Sequence, residues 1–153
     1  MKTDQDYSLT GQRSSGKTCR INNKMAADDR FGAVGDARFP RRFRVIRGRD
    51  FARVHRENVF AADPMLVVRG STNHLSYPRL GLSVSRKVGH APLRNRWKRL
   101  IREAFRTLRH ELPGGYDFVV RPRRGAKPNL PGITASLPDL TRRIAVKWER
   151  KKK

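Results

Sequence analysis

From residue 39 onward the chain switches between helical and strand rhythms. Phe51, Val54 and His55 recur at i, i+3 and i+4, which predicts a short helix over 49–56. Residues 59–69 hold two four-residue apolar runs, VFAA and MLVV, split by Asp63-Pro64, and read as extended chain bent at that dipeptide. After a loop over 70–78, RLGLSVSRK alternates. Leu80, Leu82 and Val84 point one way, and Gly81, Ser83, Ser85 and Lys87 the other. Pro92 opens the strongest helical pattern, which runs to about Glu111 and stops before Pro113-Gly114-Gly115. Residues 116–121 predict a further strand. Beyond a Pro- and Gly-rich loop, Ser136 with Asp139 three residues on reads as the start of a last amphipathic helix. Leu137, Leu140, Ile144 and Trp148 would be its buried stripe. The order α-β-β-α-β-α predicts an α+β domain whose helices cover one face of a small sheet.

Residues 1–38 show no such rhythm. They are rich in Ser, Gly, Asn, Asp and Thr, so a disordered extension is expected ahead of a folded domain over 39–150 and a basic tail at 151–153. Met25, followed by two alanines, is a candidate alternative start.

Charge sharpens this division. The 153 residues carry 36 Lys+Arg against 13 Asp+Glu, a formal net charge of +23. The extension holds 7 basic and 5 acidic residues, so nearly all of the excess belongs to the rest. Such an excess repels itself in a compact state, and a polyanion normally supplies the missing negative charge. Of the basic residues 26 are Arg, whose flat fork grips phosphates at two points and stacks on bases. The single cysteine, Cys19, excludes an internal disulfide framework. No apolar run exceeds four residues, against the roughly 20 that a membrane helix needs, and the N-terminus has no apolar signal core. A cytoplasmic protein with nucleic acid rather than membrane as its partner is expected.

Motifs for autonomous chemistry do not survive their context. GQRSSGKT, Gly11 to Thr18, satisfies the phosphate-loop pattern, but neither flank forms the buried strand and following helix that aim backbone N–H groups at phosphates. It reads as coincidence. His55, His74, His90 and His110 are scattered, and Cys19 has no partner at zinc-ligand spacing. GLSVS lacks the final glycine of a nucleophile elbow. Only eight acids follow residue 38, with no cluster of the kind that a two-metal nuclease requires.

The informative segment is RKVGHAPLRNRWKRLIREAFRTLRH. At 100° per residue Trp97, Leu100, Ile101, Ala104, Phe105 and Leu108 share a sector of about 140°. Lys98, Arg99, Arg102, Arg106 and Arg109 share another, centred on Asn95, while Arg94 and Arg96 flank the first turn on different sides. An ordinary solvated face mixes signs, because like charges at i, i+4 repel. Here Glu103 is the only acid between Arg86 and Arg109. A one-sign face beside a helix N-terminus suits phosphates, so Arg94, Asn95, Arg96, Lys98, Arg99 and Arg102 are the candidate nucleic-acid contacts. On the preceding strand, the small polar face carrying Ser83, Ser85 and Lys87 would let a backbone lie close. Gly81 on that face would equally let a helix pack there. Phe51 is either core or a stacking aromatic.

RLGLSVSRKVGHAPLRNRWKRLIREAFR, with RNR and its continuation WKRLIRE directly after a G-x-S-V-S-[RK]-K strand, closely resembles the family of bacterial ribonuclease P protein components. Weaker resemblance extends over about 43–148, including RDFARV and YDFVVRPR. The resemblance implies a ribosomal-protein-like fold with a left-handed β-α-β crossover, where chain geometry alone would predict a right-handed one. It implies a ribonucleoprotein that removes the 5′ leader from precursor tRNA. The catalytic RNA subunit would hold the Mg²⁺ ions and perform the hydrolysis. The protein would be inactive alone and would support RNA folding, metal affinity and substrate affinity; DNA is not an expected partner. Carried over, Arg94, Asn95, Arg96, Lys98, Arg99 and Arg102 match the helix that lies against the catalytic RNA. Phe51 and Lys87 match the leader cleft, with His55, Ser83 and Ser85 beside them. His55 stands where the family often has an aromatic, and Val68 where a cleft tyrosine can occur.

Overall fold

Asp63 makes the first turn of the sheet. Its carboxylate accepts the N–H groups of Met65 and Leu66 at 2.7 and 2.6 Å, so the bend expected at Asp63-Pro64 closes as a tight hairpin. That hairpin joins β1 (Val59–Ala62) to β2 (Leu66–Thr72), which pair antiparallel. The computed structural model describes residues 39–153, and the phosphate-loop-like motif, Cys19, Met25 and the extension over 1–38 lie outside the described residues. The remaining strands are β3 (Arg79–Leu82) and β4 (Tyr116–Pro122), and the sheet order is β1-β2-β4-β3. β4 is antiparallel to β2 and parallel to β3. The parallel pair needs a crossover, which α2 (Ala91–Leu108) supplies. With α1 (Gly48–Glu57) and α3 (Leu130–Lys152), the order of these elements is the α-β-β-α-β-α read from the sequence.

Alternation along β2 and β4 decides what each face meets. Leu66, Val68, Tyr116, Phe118 and Val120 join Leu80 on the core side, with Trp97, Ile101 and Phe105 of α2 and Ile133, Leu137, Leu140 and Ile144 of α3. α3 comes so close to β2 that a Cβ on Gly70 would collide with Ile144, and Trp148 Nε1 donates to the Gly70 carbonyl at 3.0 Å. The opposite face is formed by Val67, Arg69 and Ser71 of β2 with Asp117, Val119 and Arg121 of β4. α1 sits there: Arg53 bonds to Asp117, and Phe51 lies against Gly81 and Val119. The expectation that all helices share one face is therefore corrected. α1 buries only Asp50 and Val54, a stripe too narrow for a place in the main core.

Three further expectations are corrected. The last helix begins at Leu130, not near Ser136. Asn129 is its N-cap, accepting the Gly132 N–H at 2.6 Å, and proline occupies the first turn, where its missing N–H costs nothing. The helix continues through Pro138 because Leu137 and Leu140 on either side are fully buried. β3 stops at Leu82, and after Ser83 bonds to the Val120 carbonyl the chain turns into a 3₁₀ turn over Arg86–Val88. Lys87 is thus on that turn and not on a strand face. α2 ends at Leu108 rather than Glu111, whose N–H closes a turn onto the Leu108 carbonyl at 2.8 Å. Among the described residues no helix is long and apolar enough to cross a membrane.

Candidate nucleic-acid interface

The N-terminal end of α2 is built to stay open. Gly89 holds φ 145°, a backbone region that only glycine adopts readily, and turns the chain from the 3₁₀ turn into the helix. His90 at the N-cap makes no side-chain cap bond, and the first turn contains no acid, so the helix's positive end is uncapped. Arg94 falls on the apolar side of the wheel and is half-buried. Its Nη1 donates to the Gly89 carbonyl at 3.1 Å, bracing the turn. Asn95, Arg96, Arg99 and Arg102 are exposed and Lys98 is half-buried, while Trp97 and Ile101 between them are fully covered. Glu103 is spent on Arg106 through two bonds of 3.1 and 2.6 Å, which hold its carboxyl below the usual carboxylate range. Lys98, Arg99 and Arg102 therefore keep their charge without an ion pair among the described residues. Arg109 leaves this face. It is 7% exposed, with its guanidinium 4.8 Å from the Phe43 ring centroid.

The second part of the interface is the sheet face that α1 leaves uncovered. A groove of about 470 Å³ runs over it, floored by Val67, Arg69 and Arg121 and walled by Ser85, Lys87, Arg123, Arg124 and Phe60. A smaller recess shares that floor and adds His55, Ser83 and Val119. His55, Ser83, Ser85 and Lys87, chosen from the sequence, are thus brought together. Phe51 lines neither cavity. Its half-buried ring rests on the bare backbone of Gly81, where a Cβ would come within 3.0 Å, so that glycine makes room for α1. Val68 is fully buried on the core side and cannot stand in for a cleft tyrosine; Val67 and Arg69 face the groove instead.

Sequence reading missed Arg69, Arg121, Arg123, Arg124 and Phe60. For Arg69, Arg121 and Phe60 the signal was period-2 alternation, since strand residues out of phase with the core positions share the other face, whereas Arg123 and Arg124 follow the end of β4 and had no such signal. Phe60 is 45% exposed, with Arg69 5.9 Å and Lys147 5.5 Å from its ring centroid. Open aromatic surface edged by cations is what unpaired bases stack on. No acid lines the groove.

The acids are occupied elsewhere. Asp117 is fully buried and binds Arg53, Arg79 and Asn73, and Asp50 pairs with Arg79 at 3.2 Å. The Asp117 hydrogen bond raises the Arg79 pKa further above its ordinary value. Among the described residues no three of His, Cys, Asp and Glu come together as a metal site. The described residues therefore offer magnesium no carboxylate cluster.

The fold is shared with known proteins. The ribonuclease P family model matches residues 39–145. The ribonuclease P protein component of Photorhabdus laumondii is 41% identical over 107 residues, covering 69% of this chain and 89% of that protein. Its counterpart from Escherichia coli O139:H28 is 43% identical over 88 residues, covering 57% and 73%. Among solved structures, the RNase P protein from Thermotoga maritima superposes with a TM-score of 0.61 at 33% identity, covering 65% of this chain and 96% of that one. The Staphylococcus aureus RNase P protein gives 0.58 at 33%, covering 65% and 93%. The family-model match over residues 39–145 and these identities, on a fold shared with the solved relatives, place the chain in the ribonuclease P protein family.

Proposed function

We propose that the protein is the RNA-binding subunit of a ribonucleoprotein that removes the 5′ leader from precursor tRNA. The observation that carries this reading is the division of labour in the charges. The described acids are paired or scattered, while arginines and lysines are concentrated on α2 and around the groove. Such a surface suits RNA and gathers no carboxylate cluster to hold a metal-activated water among the described residues.

In this reading Arg96, Lys98, Arg99 and Arg102 take phosphates of the catalytic RNA, with Asn95 among them and Arg94 holding the turn that presents them. The single-stranded leader lies in the groove, its phosphates on Lys87, Arg69 and Arg121. Its bases meet Phe60 and His55, and Ser83 and Ser85 offer hydroxyls. The RNA subunit holds the magnesium ions and performs the hydrolysis, and the work is cytoplasmic. Neutralising RNA charge at these points relieves repulsion between RNA segments, which favours RNA folding and substrate affinity, and a folded RNA presents its metal sites preformed.

Reconstitution tests it. The protein alone should leave precursor tRNA intact, yet stimulate cleavage by the cognate RNA at low magnesium. It should also favour leader-bearing over mature tRNA. Failure to stimulate under those conditions would overturn the reading.

A further inference from the structure

A second basic cavity, of about 570 Å³, lies away from both parts of the interface described above. It is formed where the chain enters the fold, between residues 41–47, the N-terminal turn of α1 and the loop before β3. Five arginines line it, Arg41, Arg42, Arg44, Arg47 and Arg79, with Asp50 the only acid. Three of the five already have work to do. Arg79 is held by Asp117 and Asp50, Arg44 Nη2 donates to the Phe39 carbonyl at 2.7 Å, and Arg42 lies 5.0 Å from the Phe43 ring centroid. Arg41 and Arg47 are exposed and make no ion pair among the described residues.

The lining is also partly apolar. Five large hydrophobic side chains are exposed among the described residues, and two of them, Ile46 at 49% and Leu75 at 36%, line this cavity beside Tyr77. Tyr77 is fixed edge-on to Phe43 at 5.2 Å. Exposed apolar surface beside arginines without an ion pair offers one ligand both a stacking surface and positive charge. An unpaired nucleotide has that chemistry, with a flat base for the apolar lining and phosphates for the guanidinium forks.

The cavity belongs to the far end of the molecule. Phe43 touches Tyr77 and also Arg109, just past the C-terminus of α2, whereas Arg94 to Arg99 lie in its first turns. Eighteen helical residues at 1.5 Å each separate the two ends by about 27 Å. β3 likewise begins at the cavity with Arg79 and runs toward the groove at Ser83.

We propose that this cavity is a second RNA contact, holding an unpaired nucleotide with its base against Ile46, Leu75 and Tyr77 and its phosphates on Arg41 and Arg47. The inference rests on the RNA-binding reading above and extends it to a new site. The strand could come from the catalytic RNA or from precursor tRNA, and the test distinguishes them.

Binding of the full chain to the RNA-subunit transcript and, separately, to precursor tRNA would be measured across a salt series. Arg41→Ala/Arg47→Ala should weaken one of the two RNAs about tenfold and reduce its salt slope by roughly 1.4 to 2 for two lost phosphate contacts. The RNA that responds identifies the source. Ile46→Ser/Leu75→Ser should weaken the same RNA about fivefold at unchanged slope, since it removes a base contact and no charge. Unchanged affinity and slope for both RNAs with the arginine pair removed would overturn the site. Arg96→Ala/Arg99→Ala, at the other end of α2, is the control. If it weakens binding while the cavity variants do not, the second site alone fails. If neither set has any effect, the RNA-binding reading fails with it.

Discussion

Arg79 and Asp117 stand opposite one another in the parallel β3–β4 pair, and the guanidinium grips the carboxylate at two points, 2.7 and 2.6 Å apart. Asp117 is fully buried and is shared with Arg53 of α1 and with Asn73, at 2.9 Å, from the loop after β2. One carboxylate thus ties helix, sheet and loop together, and it holds α1 in place beside the groove. Removing it leaves Arg53 and Arg79 to share Asp50 alone, and breaking a buried pair typically costs about 3–5 kcal/mol. Asp117→Ala should lower the urea midpoint accordingly and loosen α1. A loss below about 1 kcal/mol would show that the network is dispensable.

The same pair shows where sequence reading stops. Few acids and no cluster were visible in composition, and that scarcity pointed away from autonomous chemistry. That two of the eight acids after residue 38 meet in one buried network with Arg53 and Arg79 was invisible, because the partners are 29 to 64 residues apart. The strands and α2 were legible because alternation and a wide apolar stripe repeat over several turns. α1 was legible as a helix but not as to its face, since its stripe is only Asp50 and Val54. Ser136 with Asp139 imitates a helix start, but Asn129 and Pro131 make the real one. The helix runs through Pro138 because tertiary burial outweighs one missing bond. Lys87 followed the alternation of RLGLSVSRK past the point where β3 ends. The basic face of α2 was legible from its periodicity, apart from the turn-bracing role of Arg94 and the burial of Arg109, whereas Arg69 and Arg121 required knowing that β2 and β4 are neighbours.

Gly81 and Phe51 predict a coupled effect. A methyl at 81 would meet the Phe51 ring at 3.0 and 3.1 Å and Val119 at 3.1 Å, tighter than ordinary contact. Gly81→Ala should cost about 1–3 kcal/mol through overpacking and displace the ring and the helix that carries it. Preference for leader-bearing over mature tRNA should change with it. Unaltered stability together with unaltered preference would show that the ring yields freely and takes no part in substrate binding.

Arg94 and Arg99 should separate structure from binding. Arg94 braces the Gly89 turn, whereas Arg99 is exposed without an ion pair among the described residues. For about six phosphate contacts, log affinity for the catalytic RNA should fall with log salt at a slope near −4 to −5. Arg99→Ala should reduce that slope by about 1 and leave thermal stability within about 0.5 kcal/mol. Arg94→Ala should lower both stability and affinity. Equal behaviour of the two variants, or a flat salt response, would contradict the assignment.

Tyr116 gives a pH dependence with a defined direction. Its ring is stacked on Phe118 at 5.9 Å and its hydroxyl donates to Glu149 Oε1 at 3.3 Å. Burial raises its pKa, and the neighbouring Glu149 carboxylate adds to the shift. The folded state therefore holds the phenolic proton more tightly than the unfolded chain. Its contribution is complete below the unfolded value of about 10 and is lost as pH rises through the higher folded value. Tyr116→Phe keeps the ring and removes the titration, and every other group cancels in the comparison. Urea midpoints measured from about pH 8 to pH 11 should run parallel for the two proteins up to about pH 9. Above that the native protein should lose stability faster than the variant. Parallel curves throughout would mean that the folded chain does not hold this proton more tightly than the unfolded one.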